Sequence, residues 1–193
     1  MDQDTLFNKG WNTWKQARDT IRYFLYKARD GSSVHRDVRD IHSIHFLCSG
    51  NICRSVFAEL YARKIFQERG LRVESSSSGL EAKEEEGPPL YAMIAAGMFG
   101  INLNEHRPIK TDRGMVEQAS LIACMHLFHY KGLTRRFHAH RDKYYLLKHL
   151  AWPAFFFMNT NDPYGKSLGE FIRTFHEIRV CIDIMSRKMN QNA

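Results

Sequence analysis

The chain has 193 residues, 44% hydrophobic, 12% aromatic and 25% charged, enough apolar material for one well-buried domain plus an appendage, which excludes disorder, a collagen repeat and a disulfide miniprotein. Lys and Arg number 28 against 21 acids, a formal charge of +7 that favours anionic partners without naming one. No run approaches the roughly 20 apolar residues of a membrane span, and Asp2 and Asp4 stand where a basic leader would begin, so a cytoplasmic location is expected.

In chain order, Phe7, Trp11, Trp14, Ile21, Phe24 and Leu25 recur at helical spacing and predict one amphipathic helix over residues 4–29, with Lys9, Lys15, Arg18 and Arg22 elsewhere on its surface. The turn cluster Asp30-Gly31-Ser32-Ser33 ends it, so residues 1–43 read as a helical extension and 44–193 as the main domain. Beyond the break, short apolar runs alternate with helical patterns. Ile44–Leu47, Leu71–Glu74, Leu121–Cys124 and Tyr144–Leu147 read as buried parallel strands, with helices at about 54–69, 89–99, 126–137 and 166–188. The fold class is therefore α/β: a doubly wound, mostly parallel sheet of about four strands with helices on both faces, its site expected at the carboxyl ends of the strands. For the extension, packing onto the domain, a homodimer interface and contact with a membrane surface all remain open. Its eight Lys or Arg up to residue 44 against six Asp give little pull toward anionic lipid.

The segment Cys48-Ser49-Gly50-Asn51-Ile52-Cys53-Arg54-Ser55 follows the first strand and opens a helix. Backbone N–H groups in such a loop can converge on one oxyanion, and the helix start adds positive potential, so phosphate fits the place. The same field, with Arg54, stabilises a thiolate at Cys48, and Ser55 is placed to hydrogen-bond it. Arg54 supplies a planar fork matched to two phosphoryl oxygens, which Lys cannot.

This Cys-x5-Arg-Ser loop resembles the signature of the low-molecular-weight protein tyrosine phosphatases. Further landmarks follow in order: Ser77-Ser78-Gly79-Leu80, His106-Arg107 and Asp162-Pro163-Tyr164-Gly165, so that the resemblance spans about residues 43–188. It implies hydrolysis of phosphotyrosine on protein through a cysteinyl-phosphate, with Cys48 as nucleophile, Arg54 and the loop from Ser49 to Ser55 as phosphate holder, and Asp162 as acid and then base. It implies that Asn51 braces the loop, that Tyr164 stands at the pocket mouth, that Cys53 can form a protective disulfide with Cys48, and that no cofactor or metal is needed. Val56 replaces the usual Pro, and Leu80 or Ala82 is expected to stand in for the usual aromatic pocket wall. These features look most like the bacterial branch that dephosphorylates tyrosine kinases of exopolysaccharide and capsule assembly, which makes such a kinase the expected partner.

Other groups read more simply. Cys124 and Cys181 are expected in the core, and Cys53 reads equally as packing. His126, His129, His138 and His140 lack companions at zinc spacing, and with Lys131, Arg135, Arg136, Arg141 and Lys143 they form a basic stretch without a nucleic-acid motif. Trp152 and Phe155 to Phe157 read as a specificity lip or as core. Two rivals are carried: a thioredoxin-coupled arsenate reductase, for which Cys124 and Cys181 are far apart in sequence, and a catalytically weak phosphoprotein-binding module.

Overall fold

The structure, a computed structural model, describes residues 3–29 and 37–190, with side chains from residue 12 onward. Four parallel strands, β1 (Ser43–Cys48), β2 (Glu74–Gly79), β3 (Leu121–Cys124) and β4 (Tyr144–Leu146), lie in the order β2-β1-β3-β4. Helices α1 (Gln3–Arg29), α2 (Arg54–Glu68), α3 (Leu90–Gly97), α4 (Arg113–Gln118), α5 (Leu127–Arg136), α6 (Leu147–Leu150) and α7 (Leu168–Asn190) surround them, and a 3-10 turn runs from His138 to Lys143.

Strand alternation divides the core in two. Ile44, Phe46 and Cys48 of β1, with Ala123 and Tyr145, face α2, α3 and α7, where Phe57 stacks on Phe175 at 4.1 Å. Leu47, Ile122, Cys124, Tyr144 and Leu146 face the other way, toward Leu127, Tyr130 and Leu133 of α5 and Tyr23 of α1. From β1 the chain passes through α2 to β2 on one side, while β3 lies on the other, so the strand order reverses at β1. That reversal opens the crevice where α/β sheets bind ligands.

The second strand corrects the expectation of Leu71–Glu74. Leu71 and Val73 are only partly buried, and pairing with β1 begins at Glu74 and runs through four serines to Gly79. Those serines are held by side-chain chemistry. His45 of β1 bonds Ser76 and Ser78 through its two ring nitrogens at 2.8 and 2.6 Å, and Ser78 in turn meets Thr111 at 2.7 Å.

Helix α1 also packs differently from its apolar stripe. Trp14, Ile21 and Leu25 face solvent, whereas Asp19, Tyr23 and Lys27 are buried. Tyr23 Oη lies 2.6 Å from His149 Nδ1, and Lys27 Nζ donates to the Tyr144 carbonyl while sitting 3.6 Å from the centre of the Tyr145 ring. The inward face is polar because it meets β4 and the loop before α7, whose backbone and amide groups need partners. The side chains of Phe7 and Trp11 lie outside the described residues.

Candidate active site

Cys48 is the last residue of β1, and Arg54 is the first of α2, so the loop between them spans the strand-to-helix turn. The Cys48 sulfur lies 3.0 Å from Ser55 Oγ and accepts the Asn51 N–H at 3.2 Å. Both contacts place hydrogen-bond partners on a sulfur buried at the head of a helix. Cys53 lies at the N-terminal boundary of α2, and its side chain does not cap that helix.

Arg54 is 4% exposed. Its Nη1 donates to the Thr160 carbonyl at 3.3 Å and its Nη2 to Asp162 Oδ2 at 2.5 Å, while its buried Nε–H has no partner among the described residues. A buried guanidinium donor left unsatisfied is costly, and an oxyanion bound beside it would relieve that cost. Asp162 is half-exposed, and its Oδ1 accepts the Tyr164 N–H at 3.2 Å, which turns the loop and sets Tyr164 at the mouth.

Asn51 ties the loop to its surroundings. It adopts the left-handed conformation at φ 56°, which Asn tolerates better than most residues. Its Nδ2 donates to Ser55 Oγ at 2.9 Å and Ser77 Oγ at 2.8 Å, its Oδ1 accepts from the Ile109 amide, and its carbonyl accepts from His106 Nε2 at 2.7 Å. Ser77 passes the network on to Glu59 Oε2 at 2.6 Å. Gly79 at the end of β2 completes the support: a Cβ there would stand 2.3 Å from the Ser49 carbonyl, so only glycine lets the loop lie against the strand. A further prop is His129 of α5, whose Nε2 lies 3.0 Å from Ser49 Oγ. Burial, and then the Arg54 charge, hold His129 well below the usual histidine range and therefore neutral.

The pocket above Cys48 measures about 270 Å³ and is lined by the loop, Asp162 and Tyr164, and at its rim by Glu81, Lys83 and Glu86. Glu81 is engaged by Arg136, and Glu86 by Lys83. Ser49, Gly50, Ile52, Cys53 and Arg54 all line this pocket. Leu80 does not, a correction to its expected place: it is 1% exposed in the second core, close under Gly132 of α5, and Ala82 is likewise buried. The chain turns away at Leu80 because its N–H and that of Glu81 bond back to the carbonyls of Cys48 and Ser49.

Cys53 is buried with a free thiol, pushed up by burial first and by the neighbouring Cys48 second. The Ser49 contact with His129, the His106 and Glu59 links to Asn51, and the Thr160 carbonyl under Arg54 were not legible in advance. Each joins segments apart in sequence; only His106, in the His106-Arg107 landmark, gave any signal, and its bond to the Asn51 carbonyl did not.

A family model for low molecular weight phosphotyrosine protein phosphatase matches residues 43–192. The chain belongs to that family. Among curated relatives, the protein-arginine-phosphatase of Bacillus subtilis is 27% identical over 149 residues, covering 77% of this chain and 97% of the relative. Arsenate reductase 2 of Staphylococcus haemolyticus is 31% identical over 86 residues, covering 45% of this chain and 61% of its own length. Among solved structures, the low molecular weight protein tyrosine phosphatase from T. tengcongensis is 26% identical with a TM-score of 0.70, covering 76% of this chain and 98% of that one. The family is one of hydrolases, and its match begins at β1, leaving α1 outside it.

Proposed function

We propose that this phosphatase hydrolyses phosphotyrosine on protein through a cysteinyl-phosphate intermediate. The observation that carries the reading is the buried Arg54 with its unpartnered Nε–H, set at the start of α2 beside a cysteine whose sulfur already has two hydrogen-bond partners. The Cys48 thiolate attacks phosphorus, and the S–P bond forms as the bond to the phenolic oxygen breaks. Asp162 gives its proton to the departing phenolate, then takes one from the water that cleaves the S–P bond and releases inorganic phosphate and the thiolate. Arg54 and the loop amides hold the equatorial oxygens throughout.

Tyrosine is favoured over arginine as the phosphorylated residue. Ile52 offers apolar surface and Tyr164 a flat aromatic face to a phenyl ring, while the two rim glutamates that could meet a guanidinium are engaged by Lys83 and Arg136. The arginine phosphatase named above keeps phosphoarginine as the competing substrate. Arsenate reduction is disfavoured because Cys124 and Cys181 are free thiols buried in different cores on opposite faces of the sheet, which does not suit them to act as a relay pair.

The test is hydrolysis of p-nitrophenyl phosphate, a phosphotyrosine peptide and a phosphoarginine peptide across pH, without metal and with reductant, by wild type and Cys48→Ser. Turnover of the tyrosine peptide by wild type, none by Cys48→Ser and little on phosphoarginine is the expected result. An inert wild type that still binds phosphopeptide would replace this reading with a binding module.

The partner class that the family resemblance implies is an autophosphorylated tyrosine kinase, tested by loss of phosphotyrosine from such a kinase on incubation. We further propose that the outward face of α1 rests on an anionic membrane. Trp14, Ile21 and Leu25 are exposed there among Arg18, Arg22 and Arg29, with no exposed acid among residues 12–29, where Asp19 is buried. A symmetric dimer through this face would bring like charges together. Co-sedimentation with anionic but not neutral vesicles is expected, and a concentration-dependent dimer without vesicle binding would favour the other outcome. No helix among the described residues is long and apolar enough to cross a membrane.

A further inference from the structure

Asp162 has two sides. One closes the catalytic pocket, and the other faces a second, larger cleft of about 770 Å³ between α1 and the segment that leads into α7. That volume falls within the roughly 300–1,000 Å³ range of clefts that enclose a sizeable ligand.

One wall is α1, which the family match does not include. It is fastened to the acid-bearing loop at three residues: the Met158 amide donates to Thr20 Oγ1 at 3.2 Å, Asn159 Nδ2 to Asp19 Oδ2 at 3.3 Å, and Gln16 Nε2 to Asn161 Oδ1 at 2.7 Å. The cleft therefore has a held wall directly beside the residue that meets the leaving group.

Its charges are mostly spoken for. Asp19 is bonded by Arg18 and Asn159, and Glu170 by Arg173. Lys15 on α1 and Lys166 on the opposite segment line the cleft and pair with no carboxylate among the described residues. Gln16 Oε1 is buried in the same wall without a donor, an acceptor that a peptide N–H would satisfy. His126, which also lines the cleft, is lowered to about 4 by burial first and by Arg54 second, so it is neutral at working pH and adds no charge.

We propose that this cleft is a subsite for the substrate polypeptide, taking acidic side chains that flank the phosphotyrosine through Lys15 and Lys166. The inference rests on the phosphotyrosine reading and adds to it a reason for α1: the extension supplies half of a groove that selects among phosphoproteins. An extended chain advances about 3.3 Å per residue, so residues only a few positions from the phosphotyrosine reach past Asp162 into it.

The test compares kcat/KM of the full chain on one phosphotyrosine peptide with Asp and Glu at its flanks, the same peptide with Asn and Gln, and a third with Lys. Wild type favours the acidic peptide by about two- to fivefold for each lysine engaged, and the preference fades at high salt. In a Lys15→Glu, Lys166→Glu double variant the order inverts in favour of the Lys-flanked peptide. Loosening of the fold would not produce that inversion. Equal rates on the three peptides in wild type, or an order the double variant leaves unchanged, overturns the subsite while turnover itself upholds the hydrolytic reading. Failure to hydrolyse any of the peptides, or p-nitrophenyl phosphate, overturns both.

Discussion

Arg54 Nη2 donates to Asp162 Oδ2 at 2.5 Å, so an incoming phosphoryl group competes with the carboxylate for the guanidinium. Replacing Asp162 by Asn therefore has two effects of opposite sign. The proton donor is lost, and kcat on a phosphotyrosine peptide is expected to fall by about 10²- to 10⁴-fold, the usual contribution of general acid catalysis. The loss is smaller on p-nitrophenyl phosphate, whose phenolate departs with less help. At the same time the competing charge is removed. Arg54 is 4% and Asp162 52% exposed, so the pair is half-screened by water and worth about 0.2–1 kcal/mol. Inorganic phosphate should accordingly inhibit the variant about 1.4- to 5-fold more tightly than wild type. Steady-state kinetics with phosphate as product inhibitor read both numbers from one set of curves. A variant that turns over the peptide at the wild-type rate refutes Asp162 as acid, and weaker phosphate inhibition refutes the competition argued from the ion pair.

Three further outcomes are expected. Asn51→Ala strips the loop of three side-chain hydrogen bonds and puts a less tolerant residue at φ 56°, so urea unfolding should show a loss of about 2–4 kcal/mol with a matching fall in activity; a wild-type midpoint would mean the network is dispensable. Tyr23→Ala empties a fully buried site between α1 and α5 and should cost about 3–5 kcal/mol; an unchanged melting temperature would mean that α1 is not integral to the domain. Burial lowers His45 and His126 to about 4, whereas an unfolded histidine titrates near 6.5, so the unfolded chain binds more protons between those values. Stability should be full above about pH 6.5 and fall as the pH drops toward 4, by on the order of 1 kcal/mol per imidazole at pH 5.5, and equal urea midpoints at pH 7.5 and 5.5 would contradict it.

What the sequence disclosed followed from short-range pattern. Each apolar run of β1, β3 and β4 is legible from its own few consecutive residues, and the Cys48–Ser55 loop directly follows β1, where strand-to-helix geometry fixes its place. The second strand was misplaced because Ser75 to Ser78 carry no apolar signal; the hydroxyls of Ser76 and Ser78 are met by His45 and Thr111, partners about 30 residues away, and those of Ser75 and Ser77 by Glu59. Leu80 was misread because its direction depends on two backbone hydrogen bonds to the catalytic loop rather than on its own side chain. In α1 the aromatic periodicity was visible but its sense was not. A helix that caps backbone and amide groups turns its polar residues inward, and hydrophobic pattern alone assigns the faces the other way.

That inward polar face bears on how the sheet ends. β4 is the outermost strand beyond β3, and the Tyr144 carbonyl and the Leu146 N–H are bonded by Lys27 and Tyr23 rather than by another strand. Exposed strand edges invite pairing with another molecule, and proteins commonly blunt them with lysine or an overlying helix. Here one lysine and one tyrosine of α1 do both. A chain trimmed to the family-matched residues 43–192 would present this edge bare, and self-association during expression or refolding is the consequence to expect.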